Sequence, residues 1–156
     1  MKLTTRQDIE APLAQVWATV TDFDAWERAA MRRGADVART DSLRVPAAGM
    51  NWSAKFLYRG KDRSVSIALT RLDAPNRLGF KAGSQAVEAD IQIELMEMAA
   101  RRTRMHVSTE VHPHSLGARL FLQSLRLARA RVERKFQTRV ATLAREIETR
   151  ARQRES

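Results

Sequence analysis

The sequence contains no cysteine and no apolar run long enough to cross a membrane. The missing cysteines exclude disulfides, thiolate metal ligands, a cysteine nucleophile and therefore a secreted scaffold held by disulfides. A membrane span needs about 18 consecutive apolar residues, and no segment approaches that length. The N-terminal residues MKLTTRQDIEAP are polar within four residues and lack the apolar core of a signal peptide. We therefore expect a cytoplasmic protein.

Motifs that commonly carry catalysis are also absent. The chain has no glycine-rich phosphate loop, no nucleophile elbow and no paired-carboxylate motif. Of the three histidines, His106 is predicted to point outward from its strand, and His112 and His114 flank a proline at a strand-to-helix junction. No further metal ligands can be identified near them. We therefore predict neither a metal nor a cofactor.

The charge of the chain is strongly one-sided. There are 28 Lys and Arg against 18 Asp and Glu, a net charge of +10, which suggests nucleic acid or an anionic membrane as a partner. Residues 115–156 hold eleven basic and four acidic residues and so carry +7 of that total. Glu133, Glu146 and Glu148 lie among the arginines, where they can pair along a helix. We therefore favour a solvated arginine-rich helix face, which explains the charge without a partner.

The first third of the chain has the pattern of one strand and two short helices. Residues 2–10 alternate weakly, which predicts a strand with one solvated face. Pro12 suits the start of a helix whose apolar stripe is Leu13, Val16, Trp17 and Val20. Asp24 and Glu27 have the spacing of a capping box, which predicts a second helix that stops at Gly34.

From Ala35 onward the apolar period changes to two, which is typical of β-strands. Alternation predicts six strands, within residues 35–43, 50–58, 65–69, 78–82, 87–95 and 105–111. Several of the intervening turns contain glycine, proline or asparagine. Successive strands this closely spaced favour an antiparallel meander with one wet face.

Residues 115–156 are predicted to form one long basic amphipathic helix. No proline interrupts the segment, so we expect a continuous helix of roughly 30 residues, about 45 Å long. Its apolar residues recur in steps of three and four, at Phe121, Leu125, Ala128, Val132, Phe136, Val140, Leu143 and Ile147.

The predicted order of strand, two short helices, six strands and long helix indicates an α+β fold. A curved antiparallel sheet of about seven strands would wrap around the C-terminal helix, and the apolar faces of both would be buried. A curved sheet and a straight helix do not meet along their whole length, so we expect a large apolar cavity between them. One domain should span residues 1–150, with a fraying basic tail at residues 151–156.

Three segments also carry a family resemblance. The run I-x-A-P-x-x-x-V-W-x-x-V-T-D-F-D-x-W extends from Ile9 to Trp26, Gly49-Met50-Asn51-Trp52 lies in the third predicted strand, and Arg102-Thr103-Arg104 precedes the last strand. Together with the terminal helix, they make the whole chain similar to the START-like, pollen-allergen-like SRPBCC superfamily. This superfamily includes polyketide cyclases, aromatase/cyclases and lipid-transfer proteins.

The resemblance implies the helix-grip fold and a tunnel between the long helix and the sheet. Such a tunnel would hold a lipid, polyketide, isoprenoid or other hydrophobic molecule. The matched apolar positions are the packing residues of the family, namely Ile9, Val16, Trp17, Val20 and Trp26. Since the polar groups of family enzymes differ between subfamilies, no catalytic set carries over.

The candidates for lining the cavity come from the apolar strand faces and from the helix stripe. Most are aromatic rings and methionines, which suit a planar or prenyl-like guest, although the same side chains also make an ordinary core. The predicted ligand-binding residues are Gln7, Met50, Trp52, Phe56, Tyr58, Phe80, Met105, Thr109, Phe121, Leu125 and Ala128.

Catalysis would require ionisable or hydroxyl groups that converge inside the cavity. Arg39 and Asp41 share the parity of an apolar strand face and are either an ion pair at a wet edge or a buried pair for acid/base work. Tyr58 lies near a hairpin end, where a hydroxyl that reaches solvent is favoured over a catalytic phenol. These three are the weak catalytic candidates.

Three functions stay open on the sequence. The favoured one is binding or carriage of a small hydrophobic ligand, such as a lipid, polyketide, isoprenoid or aromatic molecule. The alternative is an enzyme similar to polyketide cyclases and dehydrases that acts on an apolar substrate. The third is an RNA, ribosome or anionic-membrane partner bound through the arginine face. RNA binding is less favoured because Phe121 and Phe136 belong to the apolar stripe, where they cannot stack on bases.

Overall fold

The computed structural model describes residues 1–155 and contains a seven-stranded sheet with four helices in that range. In chain order the elements are β1 (Lys2–Ile9), α1 (Leu13–Val20), α2 (Phe23–Arg32), β2 (Asp36–Arg39), β3 (Asn51–Tyr58), β4 (Lys61–Asp73), β5 (Arg77–Gly83), β6 (Val87–Ala99), β7 (Arg102–Pro113), α3 (Leu116–Arg126) and α4 (Arg129–Glu155). The α+β helix-grip architecture predicted from the sequence is confirmed.

The sheet is antiparallel throughout, with the strand order β1-β7-β6-β5-β4-β3-β2. β1 and β2 are its two edges, so α1 and α2, which connect them, cross from one edge to the other. Side chains of paired residues share a face, and Leu78 lies opposite Ile93, as Trp52 lies opposite Ile67. This register gathers the alternating apolar residues of β3 to β7 on one concave face.

The core lies between that concave face and helices α1, α2 and α4. Ile9, Val16, Leu78 and Ile147 from four of these elements are all fully or almost fully buried. Burial of this kind contributes about 1.5 to 3 kcal/mol for each large apolar side chain. The apolar spacing in the sequence therefore sets which face of each strand and helix packs against the core.

The C-terminal helical segment differs from the predicted continuous helix, because it turns at Leu127 and Ala128. α3 starts where β7 ends and contacts β7 and α4, whereas α4 packs on β1 and α1. A single straight helix cannot make both sets of contacts, so the turn at Leu127 and Ala128 divides the segment into α3 and α4. The apolar stripe is deeply buried only in α4, at Val140, Ala144, Ile147 and Ala151, and α3 contains no buried residue.

The end of α4 is more firmly held than the sequence suggests. Residues 151–155, which were expected to fray, continue the helix, and Ala151 is fully buried. Arg154 donates to Oδ2 of Asp22 at 2.7 Å and so ties this end to the α1–α2 junction. Ser156, the last residue of the predicted tail, lies outside the described residues. No helix within residues 1–155 has the length and apolar character needed to span a membrane.

Candidate functional site: an apolar cavity beneath helix α2

A cavity of about 310 Å³ lies between the concave face of the sheet, α2 and the C-terminal half of α4. This volume is at the lower end of the range of pockets that bind small molecules. Its lining comprises Val20, Phe23, Trp26, Glu27, Ala30, Ala35, Val37, Trp52, Ala54, Ile67, Leu78, Phe80, Ile93, Met105, Leu143 and Ile147. Apart from Glu27, every lining side chain is apolar, which makes this the predicted type of site.

A larger groove of about 740 Å³ lies on the opposite, convex face of the sheet. Ser64, Ser66 and Lys81 lie along it, on strand positions that alternate with the apolar ones. Because most of its lining residues are polar and its floor is the wet face of the sheet, this groove does not correspond to the apolar cavity. Its size alone does not make it the stronger candidate.

Three aromatic rings form one wall of the cavity. The ring centroids of Phe23 and Trp52 are 5.4 Å apart with a tilt of 58°, and those of Phe23 and Phe80 are 6.4 Å apart at 85°. Trp52 and Phe80 occupy inward positions of β3 and β5, and Phe23 is the first residue of α2. Tilted and edge-to-face contacts like these hold flat ring surfaces in fixed positions. The wall therefore presents flat apolar surfaces to the cavity.

Glu27 is the one ionisable side chain in the cavity lining. Its Oε1 accepts a hydrogen bond of 2.5 Å from the indole Nε1 of Trp52. The capping box predicted for Glu27 is not formed, since the helix is capped by Asp22, whose carboxylate accepts from the backbone N–H of Ala25. Glu27 follows Phe23 by four residues and so lies on the same side of α2, a spacing that could have identified it from the sequence.

The Arg39–Asp41 pair predicted from the sequence exists, but neither residue lines the cavity. Arg39 Nε donates to Asp41 Oδ2 at 2.7 Å, and Arg39 Nη2 also contacts Oδ1. The backbone N–H groups of Asn51 and Leu43 donate to the same carboxylate at 2.7 and 2.9 Å. The hydrogen bond from Arg39 is the largest cause that holds the pKa of Asp41 well below its ordinary value, and the hydrogen bond from the backbone N–H of Asn51 is the next. Asp41 is therefore ionised at neutral pH and anchors the β2–β3 loop.

Tyr58 also lies outside the cavity, at the end of β3. Phe56 and Tyr58 have the inward parity of Trp52, but the pairing of β4 with β5 ends at Ser66 and Gly83. The β3–β4 hairpin therefore extends beyond the next strand, and its side chains meet solvent on both faces. The guanidinium of Arg59 lies 5.4 Å from the centre of the Tyr58 ring. All three catalytic candidates from the sequence are thus away from the cavity lining.

The predicted ligand-binding residues are divided by the structure. Trp52, Phe80 and Met105 line the cavity together. The residues outside its lining are Gln7, Met50, Phe56, Tyr58, Thr109, Phe121, Leu125 and Ala128. Phe121, Leu125 and Ala128 are displaced because they belong to α3 and the following turn, so the helical wall is made by Leu143 and Ile147 instead.

Sequence reasoning missed the contribution of the two short helices to the site. Phe23, Trp26, Glu27 and Ala30 of α2 lie over the cavity. The indole of Trp26 donates to the carbonyl of Thr19 at 3.0 Å, and the guanidinium of Arg150 lies 4.0 Å from the ring centre. The apolar spacing of α2 predicted a packed helix, but the part of the sheet that it covers depends on the tertiary arrangement.

The arginines of α4 are partly neutralised within the helix. Arg129 pairs with Glu133, Arg150 with Glu146 and Arg152 with Glu148, each at 2.8 Å and four residues apart. This confirms that the three glutamates predicted to pair along the helix do so. On the convex face, His112 lies 3.2 Å from Asp90 and His114 lies 3.4 Å from Glu88. Within the described part of the chain no group of three or more potential ligands is placed to hold a metal ion.

A family comparison bears directly on this fold and its cavity. Residues 1–148 match the model of a family described as polyketide cyclase/dehydrase and lipid transport. The chain belongs to this family. The resemblance to START-like proteins that the sequence indicates is thereby confirmed over nearly the whole chain. For this family, fold and sequence together point to binding of hydrophobic ligands or to polyketide cyclase-type activity.

Solved structures share the architecture at low sequence identity. The protein TTHA0849 from Thermus thermophilus has a TM-score of 0.69 and 14% identity, with full coverage of both chains. The Zhui aromatase/cyclase from Streptomyces sp. R1128 has a TM-score of 0.69 and 14% identity, covering 100% of this chain and 96% of that one. A START superfamily protein from Mycobacterium smegmatis has a TM-score of 0.57 and 10% identity, with coverages of 86% and 95%.

At these identities the likeness shows the fold alone. No curated protein matches the sequence.

Proposed function

We propose that this protein binds a small, planar, hydrophobic molecule, such as an aromatic or polyketide compound, in the cavity beneath α2, and that it acts as a binding or carrier protein. The observation that carries the proposal is the wall of Phe23, Trp52 and Phe80 around a space of about 310 Å³. Flat rings held at fixed angles offer dispersion contacts to a flat guest. The cytoplasmic location expected from the sequence stays a prediction.

The chemistry of the lining supports binding more than turnover. Fifteen of its sixteen residues are apolar, and the remaining carboxylate, that of Glu27, already accepts a hydrogen bond from Trp52. Arg39 and Asp41 satisfy one another and the backbone of the β2–β3 loop. Catalysis by acids and bases needs groups within hydrogen-bond reach of the substrate, and only Glu27 is so placed among the lining residues.

The binding proposal can be tested with a neutral fluorescent probe. N-phenyl-1-naphthylamine is apolar and aromatic, so its fluorescence should rise on titration with the protein, and excitation of Trp52 should transfer energy to it. Ala54→Phe places a ring inside the cavity, whereas Ala38→Phe changes an exposed residue of the edge strand β2. Binding should weaken at least about tenfold in the first variant and stay unchanged in the second.

Two results would contradict the proposal. The first is an absence of probe binding by the folded wild-type protein, and the second is equal binding by the Ala54→Phe and Ala38→Phe variants. Native mass spectrometry of the freshly purified protein complements the titration, because a retained guest should appear as a mass difference that Ala54→Phe removes. Circular dichroism of each variant checks that the fold is kept.

The second candidate function is a cyclase- or dehydrase-like enzyme, and one observation favours it. The carboxylate of Glu27 lies in the wall of an otherwise apolar cavity, where a base could remove a proton from a carbon next to a carbonyl. Glu27→Gln keeps the shape and the acceptor for Trp52 but cannot take a proton. Turnover of a linear polyketide analogue that disappears in this variant, with probe binding retained, would favour the enzyme over the carrier.

A further inference from the structure

One end of the molecule carries two exposed apolar projections that the cavity does not use. The first is the tip of the β3–β4 hairpin, residues 55–63, which we call the hairpin tip. Its two turn residues, Arg59 and Gly60, both have positive φ angles, 53° and 74°, as a tight type I′ turn requires. Leu57 at this tip is 73% exposed, and Phe56 and Tyr58 beside it are exposed as well. The apolar side chains therefore project with the turn into solvent.

The second projection is helix α3. Leu116 is 72% exposed, Phe121 is 62% exposed and Leu120 between them is exposed as well. No residue of α3 is buried, although the helix is held at its start by Ser115, whose hydroxyl accepts from the N–H of Ala118 at 3.0 Å. An ordered amphipathic helix with its apolar side in solvent is unusual in a globular protein, since large exposed apolar patches commonly mark interaction sites.

The hairpin tip and α3 lie at the same end of the sheet. In an antiparallel sheet alternate strands run in the same direction, so β3, β5 and β7 all terminate at the same end of the sheet. The hairpin tip follows the end of β3, and α3 follows the end of β7. A flat partner that approaches this end can therefore contact both projections.

Both projections are basic. The hairpin tip contains Lys55, Arg59, Lys61 and Arg63 with Asp62 as its one acid, and α3 contains Arg119 and Arg126 without any acid. None of these six cations takes part in a salt bridge within residues 1–155. They differ in this respect from Arg129, Arg150 and Arg152 of α4, whose charges are balanced by glutamates. Cations without a salt-bridge partner thus lie beside the exposed apolar residues of both projections.

We propose that this end of the protein, formed by the hairpin tip and α3, docks on the surface of an anionic phospholipid bilayer. Leucine and aromatic side chains surrounded by lysine and arginine are the composition of peripheral membrane-binding segments. The apolar side chains would enter the boundary between headgroups and acyl chains, and the cations would lie at the anionic headgroups. This inference does not depend on the identity of the guest in the cavity.

Two other occupants fit the surface less well. A second copy of the chain would bring two basic surfaces together, and their like charges would oppose association. RNA would find unpaired cations and the exposed rings of Phe56, Tyr58 and Phe121. The exposed side chains of Leu57, Leu116 and Leu120, however, cannot stack on bases and would stay in water. An anionic bilayer offers an apolar environment for the aliphatic side chains and negative headgroups for the cations.

Sedimentation with vesicles tests the proposal. The protein should bind vesicles of phosphatidylcholine with about one third phosphatidylglycerol, bind vesicles of phosphatidylcholine alone far more weakly, and dissociate at about 1 M salt. Leu120→Ser combined with Phe121→Ser should weaken binding to the anionic vesicles at least about tenfold. Arg59→Gln should weaken it about fivefold.

Matched controls distinguish docking through this surface from nonspecific adsorption to vesicles. Met98→Ser removes an exposed apolar side chain from the far end of β6, and Arg44→Gln removes an exposed charge from the β2–β3 loop. Neither control should change binding more than about twofold. Because the substituted residues are exposed, all variants should fold, which their thermal melts verify.

Three outcomes would overturn the proposal. Wild-type protein that stays in the supernatant with the anionic vesicles excludes docking, and binding that all variants retain places the contact elsewhere. Capture by polyuridylic acid RNA without capture by vesicles would assign the surface to nucleic acid. A cavity variant such as Ala54→Phe should bind vesicles normally, so failure of the docking proposal and failure of the ligand-binding proposal are distinguishable.

Discussion

The indole N–H of Trp52 donates to a carboxylate oxygen of Glu27 at 2.5 Å and thereby joins strand β3 to helix α2 above the cavity. Trp52 is buried, so its N–H has little access to water as an alternative partner. Hydrogen bonds to a charged acceptor contribute more to stability than neutral ones, and a buried donor without a partner costs about 1 to 3 kcal/mol. The pair therefore both holds the cavity wall in place and introduces its one charge.

Glu27→Ala should lower the free energy of unfolding by about 1 to 3 kcal/mol, because it leaves the indole N–H of Trp52 without an acceptor. Glu27→Gln should cost less, since the amide oxygen can still accept. Urea unfolding followed by circular dichroism measures both. Arg28→Ala, an exposed neighbour on the same helix, is the control and should lie within about 0.5 kcal/mol of wild type. Equal stabilities for Glu27→Ala and Arg28→Ala would show that the bond does not support the fold.

The two C-terminal helices should respond very differently to loss of a large apolar side chain. Ile147→Ala in α4 removes a side chain that is almost fully buried and should cost about 2 to 5 kcal/mol. Phe121→Ala in α3 removes an exposed ring and should change the free energy of unfolding by less than about 0.5 kcal/mol. Urea unfolding at neutral pH compares them. Similar losses of stability in the two variants would mean that the Phe121 side chain of α3 is packed against the rest of the domain.

Asp41 should make the stability of the protein depend on acid pH. Arg39 and backbone N–H groups stabilise the ionised carboxylate, so the pKa of Asp41 lies below its value in the unfolded chain, about 3.9. Its contribution is complete above that pH and is lost as the pH falls through the lowered folded-state value. Wild type should therefore exceed Asp41→Asn in stability by a constant amount near neutral pH, and the difference should narrow below about pH 4.

Thermal melts at neutral and acid pH test this dependence. Asp36→Asn is the reference, because it removes an exposed carboxylate from β2, the strand that also contains Arg39, without breaking the pair between Arg39 and Asp41. A difference between wild type and Asp41→Asn that stays constant down to strongly acid pH would show that the ion pair does not anchor the β2–β3 loop.

The amides of α3 should exchange with solvent faster than those of α4. Local opening costs little where few apolar contacts are broken, and α3 has no buried residue, whereas Val140, Ala144 and Ile147 hold α4 to the core. Hydrogen–deuterium exchange with mass spectrometry should show strong protection across residues 140–151 and weak protection across 116–126. Equal protection in the two segments would contradict the view that α4 is packed on the core and that α3 is not.

Periodicity was sufficient to predict the sheet because each strand alternates apolar and polar residues, and only one register buries all the apolar ones. Val87 to Leu95 and Met105 to Val111 show this most plainly, and both lie in the predicted paired strands β6 and β7. The inward residues Trp52, Phe80 and Met105 followed from the same alternation. Alternation cannot say how far a neighbouring strand extends, and for this reason Phe56 and Tyr58 lie in solvent beyond the end of β5.

The site was only partly predictable because its shape depends on how the helices lie over the sheet. Glu27 was assigned to a helix cap, and its actual partner, Trp52, is 25 residues away in sequence. Phe121 and Leu125 continue the apolar stripe of α4 in sequence, yet the turn at Leu127 directs them away from the cavity. Both differences come from long-range packing, which local spacing does not record.

The sequence by itself determined the class of fold, the family and the apolar character of the interior, because these depend on residue type and on periods of two and about 3.6 residues along the chain. The tertiary structure decided which residues meet. It brought Glu27 to Trp52, tied Asp41 into a loop, and left α3 and the hairpin tip together at one basic end. These relationships join residues far apart in sequence, so they follow from the packing of whole elements on the sheet.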